Sequence, residues 1–154
     1  MLVGSGSGRH FFFSLRGGAA GSVAMHNFES AVFAQAVWEM TALVRALGGQ
    51  AESVAGLAGA GDLDVTNNGG RTGRFGRLLG LGLTVEEAVE RMEGATLECL
   101  EIIAVMRRAL SSLQSQGKLS GDLPLLTHMA EVVLDGAPVE VPFAQFFGGS
   151  AAAS

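Results

Sequence analysis

Residues Gly56 to Gly82 read GLAGAGDLDVTNNGGRTGRFGRLLGLG. No other stretch of the chain combines so many glycines with acidic, hydroxyl, amide and guanidinium side chains. Glycine in such density costs backbone entropy and belongs where the main chain turns tightly or comes close to a ligand. Asp62 stands in Gly-Asp-Leu, shortly before Thr66, Asn67 and Asn68, and Gly69-Gly70-Arg71-Thr72 follows directly. An arginine leaving a Gly-Gly pair presents a planar, permanently charged fork that matches phosphate or carboxylate oxygens. The segment therefore reads as part of a site for an anionic, hydroxylated small molecule.

On either side of this segment the pattern is helical. Val32, Ala36, Trp38, Met40, Leu43, Val44 and Leu47 place an apolar stripe along 31–47 in a stretch that turns helical at Asn27, and Gly48-Gly49 is its stop. A short helix is predicted over 74–81. Thr84 with Glu87 three positions later forms a capping box that opens a helix running to Met92. A longer helix is expected from about Thr96 to Ser115, with Leu100, Ile103, Ala104, Met106 and Leu110 on one side and Gly117 closing it. Asp122 is the expected cap of a last helix ending near Leu134, with Asp135-Gly136 as its stop. No run alternates with period two and no internal repeat is present, so the expected fold class is all-α.

Composition narrows the function. The chain has 154 residues, enough for one hydrophobic core, with 48% hydrophobic and 16% charged residues. No uninterrupted apolar run approaches the ~18 residues of a membrane span. Phe11-Phe12-Phe13 is too short and glycine-broken for a signal sequence. The single cysteine, Cys99, cannot close an internal disulfide, which fits a reducing cytoplasm. A net charge of −5 argues against attraction to nucleic acid. Gly-Gly-Arg-Thr-Gly-Arg-Phe-Gly-Arg resembles an RNA-binding arginine–glycine box, yet a single copy between helices in an acidic chain speaks against that use. Residues 1–25 read as a leader or the remnant of an upstream helix, 26–148 as the helical domain and 149–154 as a disordered tail. Gly4-Ser5-Gly6-Ser7-Gly8 reads as a linker, since a dinucleotide fingerprint needs a preceding strand and a βαβ unit.

The order of motifs resembles the C-terminal substrate domain of NAD(P)-dependent glycerol-3-phosphate dehydrogenases. The resemblance rests on Gly56-Leu57, Gly59, Gly61-Asp62-Leu63, Thr66, Arg71-Thr72 and Gly76-Arg77-Leu78-Leu79-Gly80. His26-Asn27-Phe28, Glu39-Met40, Glu93-Gly94, Leu123-Pro124-Leu125-Leu126 and Val141-Pro142 extend it. It implies an all-α domain like that of glycerol-3-phosphate and 6-phosphogluconate dehydrogenases, with NAD or NADP as cofactor and glycerol 3-phosphate or dihydroxyacetone phosphate as substrate. By resemblance Asp62 is catalytic and orients the base, and Thr66, Gly70, Arg71 and Thr72 bind substrate. Arg71, Arg91 and Glu93 contact the cofactor. An N-terminal dinucleotide-binding domain is the implied partner, and a homodimer is a further implied association.

Each of these residues also has a plain role. Asp62 suits a helix N-cap, Arg71 a solvated surface, Thr66 a bond to its own helix backbone and Glu93 a solvated helix end. His26 and His128 lack metal spacing and read as structural or exposed, and Cys99 as a small core residue. Two departures stand out. Thr72 occupies a position where the family carries Asn, so one hydroxyl replaces an amide with two N–H groups. Arg9 to Gly18, where the family's catalytic Lys-Asn pair is expected, holds no lysine; Lys118 is the sole one in the sequence. These residues alone are therefore not expected to complete the reaction, and the rival reading is a non-catalytic helical remnant or dimerisation module.

Overall fold

The computed structural model describes residues 22–69, 71–93 and 97–149. Among the described residues there are six α-helices and no strand: α1 (Ser22–Ala46), α2 (Asp62–Gly69), α3 (Arg71–Gly80), α4 (Val85–Arg91), α5 (Glu98–Ser115) and α6 (Pro124–Asp135). A 3-10 turn (Ala51–Ala55), a π-helical turn (Leu57–Gly61) and a terminal 3-10 segment (Phe143–Gly149) complete the order. The all-α expectation holds. Of the expected tail, 149–154, all but Gly149 lies outside the described residues, as does most of the leader, 1–21.

Local chemistry explains most boundaries. The capping box is present in full: Thr84 Oγ1 accepts from Glu87 N, and Glu87 Oε2 accepts from Thr84 N at 2.8 Å. Helix α3 ends at Gly80, and the turn beyond it is closed by Gly82, whose φ of 89° only glycine adopts freely. There Gly82 N–H reaches Leu79 O and Leu83 N–H reaches Leu78 O, the paired bonds that satisfy the last carbonyls of a helix. Two expectations are corrected. The glycine-rich stretch is helical over Asp62–Gly69 and Arg71–Gly80, with α3 beginning at Arg71 rather than Arg74. Helix α6 begins at Pro124 with Leu123 as its N-cap residue and no local side-chain cap, so Asp122 does not cap it.

The core falls into three clusters that meet on α6. Phe75 and Leu79 of α3, Ala88 of α4, Met92, Ile103 of α5 and Ala130, Val132 and Val133 of α6 form the first. Val32 and Ala36 of α1 meet Leu63 of α2, Leu125 of α6 and Phe146 in the second. Leu43 joins Leu110, Leu113, Leu119 and Leu123 in the third. Because α6 contributes to opposite sides, it is buried on most of its circumference, and fixing its first turn fixes how the other helices assemble.

The α1 stripe departs from its reading. Trp38 and Leu47, both expected in the apolar stripe, are 41% and 70% exposed. Gln35 and Glu39 instead turn inward with Val32, Ala36 and Leu43, at 0% and 4% exposure. Two polar side chains inside a core require partners, and both have them.

Candidate functional site

Asp62 owes its position to the turn before it. Gly56 O accepts from Gly59 N and Gly61 N, each at 3.2 Å, which winds 57–61 into the π-helical turn. A β-carbon at Gly59 would stand 2.1 Å from Val54 O, so the turn seats against Val54, the buried residue of the 3-10 segment, only because position 59 is glycine. Asp62 then enters α2 with helical dihedrals of −65° and −37°. Its neighbour Leu63 is 4% exposed and anchors the helix against α1 and α6, leaving Asp62 itself exposed. Thr66 falls one turn further along α2, and its side chain is outside the described part; Gly70 lies outside the described residues.

Helix α3 is held by one face. Phe75 is fully buried, Leu79 is 6% exposed, and Gly73 and Gly80 are buried beside them. That fixes the rotation of the helix and places Arg71, Arg74 and Arg77 at its surface, all exposed. Arg71 is the first residue of α3 and Thr72 the second, so both stand where unpaired helix N–H groups and the positive end of the helix dipole favour an anion. Arg91, the last residue of α4, and Glu93 just beyond it are exposed as well. Phe75, one turn past Arg71, and Met92, next to Arg91, share one buried cluster, which brings the start of α3 and the end of α4 into one neighbourhood. Glu93 holds a φ of 51°, a left-handed conformation that disfavours a side chain.

Thr72 is half-buried and lines a cavity of about 320 Å³ between α1, α5 and α6. Met40, Leu43, Ile103, Met106 and Met129 form its apolar walls, with Cys99 and Glu98 on the α5 side. Cys99 is half-buried and packs against the first core cluster, as expected. These walls offer no cation to a phosphate.

Glu39 also lines the cavity, and sequence reasoning noted it only as part of a motif. Its Oε1 accepts from Leu125 N at 2.7 Å and from Gln35 Nε2 at 2.7 Å, and its Oε2 accepts from Leu126 N at 2.8 Å. Pro124 has no N–H, and Thr127 N already reaches Leu123 O, so this one carboxylate completes the first turn of α6. Gln35 Oε1 accepts from Phe147 N at 2.8 Å and ties the terminal segment to the same group. Burial pushes the Glu39 carboxyl above its usual value of 4.5, while the bonds from Gln35, Leu125 and Leu126 pull it down. The available signal was the spacing of Gln35 and Glu39, four apart and in phase with Val32, Ala36 and Leu43.

His128 has the structural role expected of it. Its Nε2 accepts from Glu140 N at 3.1 Å, and its Nδ1 lies 3.9 Å from Glu131 Oε2. Burial lowers its basicity below the usual 6.5, with Glu131 and Glu140 raising it in opposition. Among the described residues no three histidine, cysteine or acidic side chains gather as a metal site would require, and no helix is long and apolar enough to cross a membrane.

The family described as NAD-dependent glycerol-3-phosphate dehydrogenase C-terminus matches residues 15–143. The chain belongs to this family. A relative named NADP(+)-dependent glycerol-3-phosphate dehydrogenase from Archaeoglobus fulgidus is 35% identical over 119 residues, 77% of this chain and 35% of the relative. Glycerol-3-phosphate dehydrogenase [NAD(P)+] from Paracidovorax citrulli is 35% identical over 112 residues, 71% of this chain and 30% of the relative. The protein of the same name from Pseudomonas aeruginosa is 31% identical over 127 residues, 80% and 35% of the two chains. The chain thus spans about a third of the length of these curated relatives. No solved structure matches it. As a glycerol-3-phosphate dehydrogenase C-terminal domain, the chain has the helical architecture expected from its motifs, and Glu39-Met40 and Leu123-Pro124-Leu125-Leu126 prove to be two halves of one hydrogen-bonded junction.

Proposed function

We propose that this domain holds the substrate of an NAD(P)-dependent glycerol-3-phosphate dehydrogenase, in which a hydride passes between the nicotinamide and carbon 2 of glycerol 3-phosphate or dihydroxyacetone phosphate. The observation that carries the proposal is the placement of Arg71 and Thr72 on the opening turn of α3, exposed and half-buried respectively. A guanidinium and a hydroxyl at a helix N-terminus suit a phosphate group. Thr66 and Gly70 complete the proposed phosphate and hydroxyl contacts. Asp62, exposed at the start of α2, orients the base that takes the proton from the substrate hydroxyl. That base is not among the residues assigned here, since the family's Lys-Asn pair has no lysine counterpart in the segment ahead of α1.

Arg71, Arg91 and Glu93 are the proposed cofactor contacts. All three are exposed, and none makes an ion pair with another described residue, so their charges remain available. A glutamate in this position can accept from ribose hydroxyls, as acidic residues do in dinucleotide sites. NAD(P), when bound, supplies the acceptor or donor of the hydride. The dinucleotide-binding domain that would carry most of the cofactor is a proposed partner of this one.

A second reading, a helical module that associates without catalysis, is favoured by the apolar side chains left at the surface of α1 and α5. Trp38 is 41%, Ile102 57% and Val105 52% exposed. Binding separates the two readings. Titrating dihydroxyacetone phosphate into the wild-type chain and the Arg71→Lys and Arg71→Ala variants should give progressively weaker affinity at unchanged melting temperature, because lysine keeps the charge and loses the fork. Equal affinity across the three proteins would remove the substrate role and leave the association module.

A further inference from the structure

Arg71, Arg74 and Arg77 recur every third residue along α3, so all three lie within one arc of the helix. The opposite arc, Phe75 and Leu79 with Gly73 and Gly80, is buried and locks that arc toward solvent. None of the three arginines makes an ion pair with a described residue. The whole chain, these three arginines included, carries a net charge of −5. An acidic domain repels a dianion at long range, and three uncommitted guanidiniums on one arc locally reverse that field. Helix geometry sets Arg74 and Arg77 about 4.5 and 9 Å along the axis from Arg71. Charges at those distances are felt through solvent by an anion held at the N-terminus.

We propose that Arg74 and Arg77 form an electrostatic guide that draws the anionic substrate onto Arg71 without ligating it. The guide rests on the reading of Arg71 as the phosphate-binding residue. Its physical signature is dependence on charge and ionic strength, with no dependence on guanidinium geometry.

The test titrates glycerol 3-phosphate and inorganic phosphate into the wild-type chain, Arg71→Gln, the double variant Arg74→Gln/Arg77→Gln and the double variant Arg74→Lys/Arg77→Lys. Each protein is measured at low and at high salt, with melting temperatures in parallel. The glutamine pair is expected to weaken binding about fivefold at ~10 mM salt, where the screening length is ~30 Å. At ~1 M salt, with a screening length of ~3 Å, the loss should fall below about 1.5-fold. The lysine pair should match wild type at both, since it keeps the charges. Arg71→Gln should lose binding at both salt concentrations. Full affinity in the glutamine pair at low salt overturns the guide, and so does a loss of equal size at both salts or a failure of the lysine pair, either of which makes these arginines direct ligands. If Arg71→Gln binds phosphate as wild type does, the reading of Arg71 fails instead, and the guide falls with it.

Discussion

Glu39 on α1 and Leu125 on α6 are separated by 86 positions in sequence and joined by a 2.7 Å hydrogen bond from the Leu125 N–H to Oε1. The same carboxylate takes the Leu126 N–H and the Gln35 amide, so a buried side chain on one helix serves as the N-cap of another. An N-cap normally comes from the residue just before the helix. Supplied from α1, it makes the start of α6 conditional on tertiary docking.

Glu39→Ala should therefore destabilise the domain by about 3 kcal/mol, since it strands the buried Leu125 N–H, the part-buried Leu126 N–H and the Gln35 amide. Glu39→Gln should cost less, keeping an acceptor for Leu125 and losing the one for Leu126. Burial raises the folded value of Glu39 above 4.5, so this group favours the folded state most at acid pH and loses that contribution as pH climbs from 4.5 through the folded value. Urea unfolding of wild type and Glu39→Gln across that range should show the wild-type advantage shrinking with rising pH. An advantage that grows would mean the three hydrogen bonds outweigh desolvation.

His128 runs the other way. Burial lowers its value below 6.5, so its contribution is intact above that pH and is lost as pH falls through the folded value. Protonation also removes the acceptor that Nε2 offers to Glu140 N. Stability of the wild type relative to His128→Gln should decline on acidification below about pH 6.5. Amide exchange at Glu140 is the direct readout, and protection there that does not change with pH would contradict the assignment.

Gly59 and Gly61 flank the same turn and should respond differently to alanine. The new β-carbon at 59 would meet the backbone oxygen of Val54 at 2.1 Å, whereas at 61 it would meet the end of the Leu57 side chain at 3.1 Å. Backbone cannot yield as a leucine methyl can, so Gly59→Ala should cost about 2–4 kcal/mol and Gly61→Ala under about 1 kcal/mol. Thermal unfolding of the two variants decides it, and equal melting temperatures would remove the close-approach account of Gly59.

Thr72→Asn tests the position where the family resemblance leads one to expect Asn. Restoring an amide with two N–H groups at the second residue of α3 should tighten binding of dihydroxyacetone phosphate several-fold if position 72 contacts the phosphate. Unchanged affinity at unchanged stability would confine Thr72 to the cavity wall.

Local signals in the sequence determined the helical class, the capping box at Thr84 and Glu87, the stops at Gly48, Gly117 and Gly136, and the Gly-Asp-Leu and Gly-Arg-Leu-Leu-Gly motifs that carry the family resemblance. Each depends on neighbours within a turn or two, where spacing and residue chemistry suffice. The tertiary structure alone decided that Trp38 faces solvent while Gln35 and Glu39 face the core, because a polar residue in an apolar stripe is assigned inward only by its distant partners. It also decided that Asp122 is not the cap of α6 and that the glycine-rich stretch winds into helices pinned by Leu63 and Phe75. Glycine weakens a helix by propensity, and burial of those two side chains against α1 and α6 and against the α4–α6 cluster outweighs that weakness in a way that no local reading of the stretch could reveal.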